Sequence, residues 1–174
     1  MTVALFCGSR EWADPEPVRA EIARLEPGDI VIHGDQRGAD LIADTEGRRA
    51  GLEVVSMAAD WDLGPAAGPL RNDRMLRTLL AAGRTFGQPV RVLAFHHDLL
   101  LGVGTRDMVR KSMRAGIRVR AFLSKSVLAD RVGTHMECED CGVPYLRHPD
   151  VTSETDWNGD PFLHLSCRGQ FLKL

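Results

Sequence analysis

Four short stretches of this chain combine glycine with charged or polar side chains. They are Gly8-Ser9-Arg10-Glu11-Trp12, the run from His33-Gly34 through Gly38-Ala39-Asp40, Asp60-Trp61 followed by Gly64 to Arg71-Asn72, and Gly102-Val103-Gly104-Thr105-Arg106-Asp107. Glycine lets a backbone approach a ligand closely. A helix start offers unpaired N–H groups and a partial positive charge, which suits phosphate. Arginine adds a two-pronged grip on phosphate or carboxylate, and Trp12 and Trp61 offer faces on which a base could stack. A single glycine-rich turn is often only a tight turn. Four of them on one predicted sheet edge point to a phosphate-bearing ligand.

A second constellation lies near the end. Cys138-x-x-Cys141 and His164-x-x-Cys167 form two close pairs separated by 22 residues. Two such pairs can converge on tetrahedral zinc, and four protein ligands make the expected site structural rather than catalytic. His135 and His148 are competing ligands. The segment 134–174 carries seven acidic and three basic residues, a formal −4 that argues against nucleic acid as its partner. A docking or dimer-stabilising role fits better. Cys7 stands apart, and as a thiol at the end of an apolar run it reads as buried and inert.

The elements that must position these groups follow from periodicity. Val3–Phe6, Ile30–Ile32, Val54–Met57 and Val90–Phe95 are mostly continuous apolar runs, as expected of strands covered on both faces. Ile117–Phe122 alternates with Arg118 and Arg120 and reads as an edge strand with one wet face. Between them lie helical stripes: Val18, Ile22 and Leu25 after Pro15 and Pro17; Ala39, Ile42, Ala43 and Ala50 before Gly51; Met75, Leu76, Leu79 and Leu80 closed by Gly83; Met108, Val109 and Met113 before Gly116. Strand and helix in alternation predict a Rossmann-like α/β domain, a parallel sheet with helices on both faces. Ligands of such sheets bind outside the carboxyl ends of the strands. The rhythm stops near residue 125, so the chain divides into a domain over 1–125 and a small zinc-ribbon-like module over 126–174.

Bulk properties narrow the classes. The 174 residues are 44% hydrophobic and 26% charged, with a formal charge of −2, which fits a globular protein with no global field to recruit nucleic acid. There is no apolar run of the ~20 residues that spans a bilayer. The start, Met1-Thr2-Val3-Ala4-Leu5, has no basic region before it and reads as a strand rather than a signal peptide, which predicts a cytoplasmic protein.

Taken together, these residues resemble the SLOG superfamily, which joins the DNA-processing protein Smf/DprA to the LOG enzymes, and within it the YspA-like branch. The resemblance rests on Gly8-Ser9-Arg10-x-Trp12-x-Asp14, His33-Gly34-x-x-x-Gly38-x-Asp40, Ala59-Asp60-Trp61, Ala67-Gly68-Pro69-x-Arg71-Asn72-x-x-Met75 and Gly104-Thr105-x-Asp107-Met108. It implies a nucleotide-derived ligand, and the residues expected to bind it are Gly8, Ser9, Arg10, Trp12, Gly34, Gly38, Asp40, Asp60, Trp61, Arg71, Asn72, Met75, Gly102, Gly104 and Thr105; a homo-oligomer, dimer or larger, is a separate expectation. LOG enzymes cleave nucleoside monophosphates at the N-glycosidic bond with a glutamate and an upstream arginine. Here the glutamate's position is Met108, which cannot act as acid or base, and Asp107 lies about 100° away on a helix. Arg71 and Asp107 are the remaining catalytic candidates. The expectation is a protein that senses, carries or sequesters a nucleotide. A phosphoribohydrolase and a DprA-like handler of single-stranded DNA are the alternatives.

Overall fold

The computed structural model describes residues 1–97, 102–123, 134–137 and 144–147. Five strands form one parallel sheet: β1 (Val3–Gly8), β2 (Ile30–His33), β3 (Glu53–Ser56), β4 (Val90–His96) and β5 (Arg118–Leu123), in the order β3-β2-β1-β4-β5. Val3 is in register with both Ile30 and Val90, so β1 is central. Four α-helices connect the strands: α1 (Glu16–Ile22), α2 (Ala39–Arg49), α3 (Ala67–Phe86) and α4 (Val103–Arg114). A 3₁₀ segment, Trp61–Ala66, leads into α3.

Side chains alternate across a strand, and β1 shows what that does here. Val3, Leu5 and Cys7 join Met75, Leu79, Met108 and Val109 of α3 and α4 on one face. Ala4 and Phe6 join Val18, Ile22, Ala39 and Ala43 of α1 and α2 on the other. Both faces are sealed, as a parallel sheet requires. β3 differs from the expectation of full coverage. It is the second edge strand: Val54 and Val55 pack on opposite faces but only partly, and Glu53 and Ser56 are exposed. β5 is the edge strand its alternation predicts. Arg118 is exposed, while Arg120 donates to Glu21 at 2.7 Å and lies over the Phe122 ring at 4.9 Å.

Gly51 and Gly116 end their helices with φ near +72° and +73°. Gly83 does not. The helix runs on to Phe86 and ends at Gly87 in the left-handed region. Gly83 is needed for space instead, because a Cβ there would lie 2.5 Å from Val90 Cγ1, where α3 crosses β4. The first helix stops at Ile22, short of Leu25, which packs in the core beyond it.

The chain leaves β1 for β2 and β3 on one side of the sheet and returns to β4 on the other. At such a switch point the loops after β1 and β4 part in opposite directions and leave a crevice between them. Among the described residues no helix is long and apolar enough to cross a membrane. Beyond the sheet, β6 (Thr134–Glu137) and β7 (Pro144–Arg147) pair antiparallel, Glu137 opposite Pro144. The zinc-ligand candidates Cys138, Cys141, His164 and Cys167 lie outside the described residues.

Candidate ligand-binding site

A cavity of about 490 Å³ opens at this switch point, within the ~300–1,000 Å³ usual for small-molecule sites. Each strand–helix junction contributes to it. Cys7 to Arg10 come from the end of β1, Gln36 and Asp40 from the start of α2, and Trp61 and Arg71 from the 3₁₀ segment and α3. His96 ends β4, and Gly102 to Thr105 with Asp107 form the start of α4.

The acidic wall is built around one turn. His33, fully buried, accepts the Asp35 N–H at Nδ1 (3.2 Å) and faces Asp44 with Nε2 (3.1 Å). That pairing fixes a neutral ring with its proton on Nε2, and burial lowers its pKa. The turn it holds puts Asp35 at φ +56° and aims the Gly34 N–H at Asp40 Oδ2 (3.0 Å). On its other side Gly34 offers its carbonyl to an Arg71 guanidinium nitrogen. A Cβ at Gly34 would collide with that guanidinium and approach Asp40 Oδ2 to 2.9 Å. Gly38, at φ +79°, lets the loop after β1 cross it, with Arg10 backbone 2.7 Å from where a Cβ would stand.

Asp40 is 4% exposed. Burial pushes its carboxyl up to about 7, against the pull of Arg71 and of the Gln36 and Gly34 N–H groups. Burial in turn lowers Arg71, while the charge of Asp40 supports it. Burial raises the Cys7 thiol strongly, so the residue is a thiol and not a thiolate. His96 is held down to about 4 by burial, helped by His97, and is neutral near pH 7.

The opposite wall is the start of α4. Gly102 precedes it without a side-chain cap, so the first N–H groups, those of Val103, Gly104 and Thr105, have no partner within the helix. Among the described residues a Cβ at Gly104 would meet nothing within 4 Å, whereas one at Gly102 would strike the His96 ring. Gly104 thus faces open space in the cavity lining. Asn72, 3% exposed, anchors this wall: its amide donates to Gly104 O (3.1 Å) and Asp107 Oδ2 (2.8 Å), and its oxygen accepts from Arg71 Nε (3.2 Å). Lys111 also grips Asp107 at 3.0 Å. The mouth is flanked by Trp61, half-exposed, with the Arg10 guanidinium 5.2 Å above its ring.

Comparison with known proteins agrees with this architecture. A family model described as "YspA, cpYpsA-related SLOG family" matches residues 2–64. The "Gene 61 protein" of Mycobacterium phage D29 is 38% identical over 135 residues, covering 72% of this chain and 99% of the phage protein. The chain belongs to the YspA, cpYpsA-related SLOG family.

Within this SLOG chain the expected site residues divide. Gly8, Ser9, Arg10, Asp40, Trp61, Arg71, Asn72, Met75, Gly102, Gly104, Thr105 and Asp107 line one cavity. Trp12 does not reach it. The residue is 4% exposed, and its ring packs edge-on to Phe95, stacks on His97 and donates to Asp14 O at 2.6 Å, so its faces are turned to these neighbours and not to the cavity. Gly34 and Gly38 shape the turns behind the wall. Asp60 caps the 3₁₀ segment by accepting the Asp62 N–H (3.2 Å). Met108 is fully buried in the core and Asp107 lines the cavity, so the rotation along α4 turns the aspartate, not the LOG glutamate position, toward the cavity. Cys7 and His96 were not expected. They end β1 and β4, the two strands flanking the switch point, and that position was the available signal.

Proposed function

We propose that this SLOG protein binds a phosphate-bearing, nucleotide-derived small molecule and holds it rather than cleaving it, as a sensor, carrier or sequestering protein. The observation that carries this reading is that the α4 N-terminus, which Gly102 leaves without a side-chain cap, and Arg71 line one cavity. Helix-terminal N–H groups, a helix dipole and a guanidinium all favour an anion there. Trp61 at the mouth offers an aromatic face for a base, with Arg10 beside it. Met108 in the core and Asp107 tied to Asn72 and Lys111 argue against LOG-type glycoside cleavage.

Isothermal titration with nucleoside monophosphates and nucleoside diphosphate sugars tests it. Arg71→Ala and Gly104→Asp are expected to abolish the heat of binding while circular dichroism stays unchanged. Undiminished binding in both variants refutes the site.

One observation favours the phosphoribohydrolase alternative: Asp40 titrates near 7 inside the cavity, the range useful for general acid–base work. Release of free base or ribose 5-phosphate, lost in Asp40→Asn or Asp107→Ala, would replace holding by hydrolysis. The DprA-like reading has no comparable support, given the formal charge of −2. For the tail the proposal is a structural zinc held by Cys138, Cys141, His164 and Cys167. A cytoplasmic homo-oligomer completes the reading, and native mass spectrometry of the full chain checks its stoichiometry.

A further inference from the structure

Asp40 is a buried carboxyl in the lining of the cavity, and its charge is supported first by Arg71. Both groups flank Gly34, one accepting its N–H and the other donating to its carbonyl, but they are not joined in an ion pair. An anionic ligand that engages Arg71 therefore competes for the same positive charge. Resting on the binding reading above, we propose that the ligand enters the cavity together with a proton taken up by Asp40, which then donates a hydrogen bond and makes Asp40 a specificity-determining residue for anions.

The surroundings favour this direction. Cys7 from β1 is a neutral thiol, and Asp35 in the neighbouring turn opposes ionisation of Asp40. Arg71 from α3 and the Gln36 and Gly34 N–H groups support ionisation. Arg10, from the loop after β1, and Asp107 of α4 are the other charged groups lining the cavity, and His96 of β4, held near 4, brings no charge. With the free carboxyl at about 7, a ligand phosphate that neutralises Arg71 and adds negative charge moves the proton equilibrium further toward the acid. A protonated carboxyl is a donor as well as an acceptor, so it can complete the shell of an anionic oxygen where a carboxylate would repel it.

The test is calorimetry of the full chain with ADP-ribose, in buffers of low and high ionisation enthalpy. Each of its two phosphates carries one ester bond and the shared anhydride bridge, which leaves a single strongly acidic proton apiece and a constant charge across the range tested. Proton uptake of about 0.1 per ligand is expected near pH 6, about 0.5 near pH 7 and about 0.9 near pH 8, with affinity falling about tenfold from pH 6 to pH 8. Asp40→Asn, which keeps a donor and cannot ionise, is expected to bind with no uptake and a flat pH profile. Binding by the wild-type chain without proton uptake overturns the inference and leaves the binding reading standing. So does uptake that persists in Asp40→Asn. Should that variant not fold, ¹³C NMR of the Asp40 carboxyl decides: a titration midpoint that rises on adding ADP-ribose supports the inference, and one that is unmoved or falls overturns it. No heat with either ADP-ribose or AMP overturns the binding reading itself.

Discussion

Replacing Asp40 by asparagine is expected to stabilise the fold at neutral and alkaline pH, although it alters the cavity. The reason is the cost of burying a carboxylate. The native carboxyl titrates at about 7 rather than the ordinary 3.8, so the folded state binds the proton more tightly than the unfolded chain. Its contribution is complete below about pH 4 and is lost as the pH rises through about 7. At about 1.4 kcal/mol per pH unit, the displacement sets a ceiling of about 4 kcal/mol. Asparagine keeps an acceptor for the Gly34 N–H but loses the stronger bond that a charged acceptor makes, so a gain of about 1–3 kcal/mol is the working figure. Urea unfolding of wild type and Asp40→Asn, in steps from about pH 4 to about pH 8, measures it. The two should lie close together near pH 4, apart from a small constant offset, diverge steadily as the pH rises above about 4, and level off above about pH 7. A variant that is equally or less stable near pH 8, or a gap that does not change with pH, would refute the reasoning and mean that Arg71 fully compensates the charge. A site residue that costs stability is the usual signature of a fold that trades stability for binding.

Other expectations follow from the same contacts. Asn72→Ala removes the donor to Gly104 O and Asp107 and the acceptor for Arg71. It should cost about 2–4 kcal/mol in urea unfolding, and a cycle with Asp107→Ala should show coupling of about 1 kcal/mol. A loss below about 0.5 kcal/mol would mean that Asn72 does not anchor the α4 wall. Gly83→Ala puts a methyl 2.5 Å from Val90 Cγ1, and should lower stability by about 1–3 kcal/mol through overpacking, read as a fall in Tm with ligand affinity preserved. Elemental analysis of the untagged full chain should find about one zinc per chain, lost in Cys141→Ser; a folded, metal-free wild-type chain contradicts the zinc proposal.

Most of the α/β domain was legible because its signals are local. Continuous apolar runs bounded by glycine and charge mark the strands, and the four loops at their carboxyl ends announce themselves by composition. What the sequence concealed depends on the third dimension. Gly83 looks like a helix stop, and only the crossing of α3 over β4 shows that it provides clearance. Trp12 and Trp61 are equivalent as residue types, yet one is packed against Phe95 in the core and the other stands half-exposed at the mouth. Cys7 reads as an inert buried thiol, which its raised pKa supports, but its place at the end of β1 also brings it into the cavity lining. His96 carries no motif of its own and gains its place from strand order. The raised pKa of Asp40 has no sequence signature at all, since it arises from burial, which outweighs the pull of Arg71 and of the Gly34 N–H.

The central claim, an anion held between the α4 N-terminus and Arg71, is tested most directly by amide NMR of the full chain titrated with AMP and ADP-ribose. The account predicts saturable shifts of the Val103, Gly104 and Thr105 amides and of the Arg71 side chain, absent in Gly104→Asp. Saturable binding that leaves those resonances in place and shifts residues elsewhere, or no binding of either nucleotide, would contradict it.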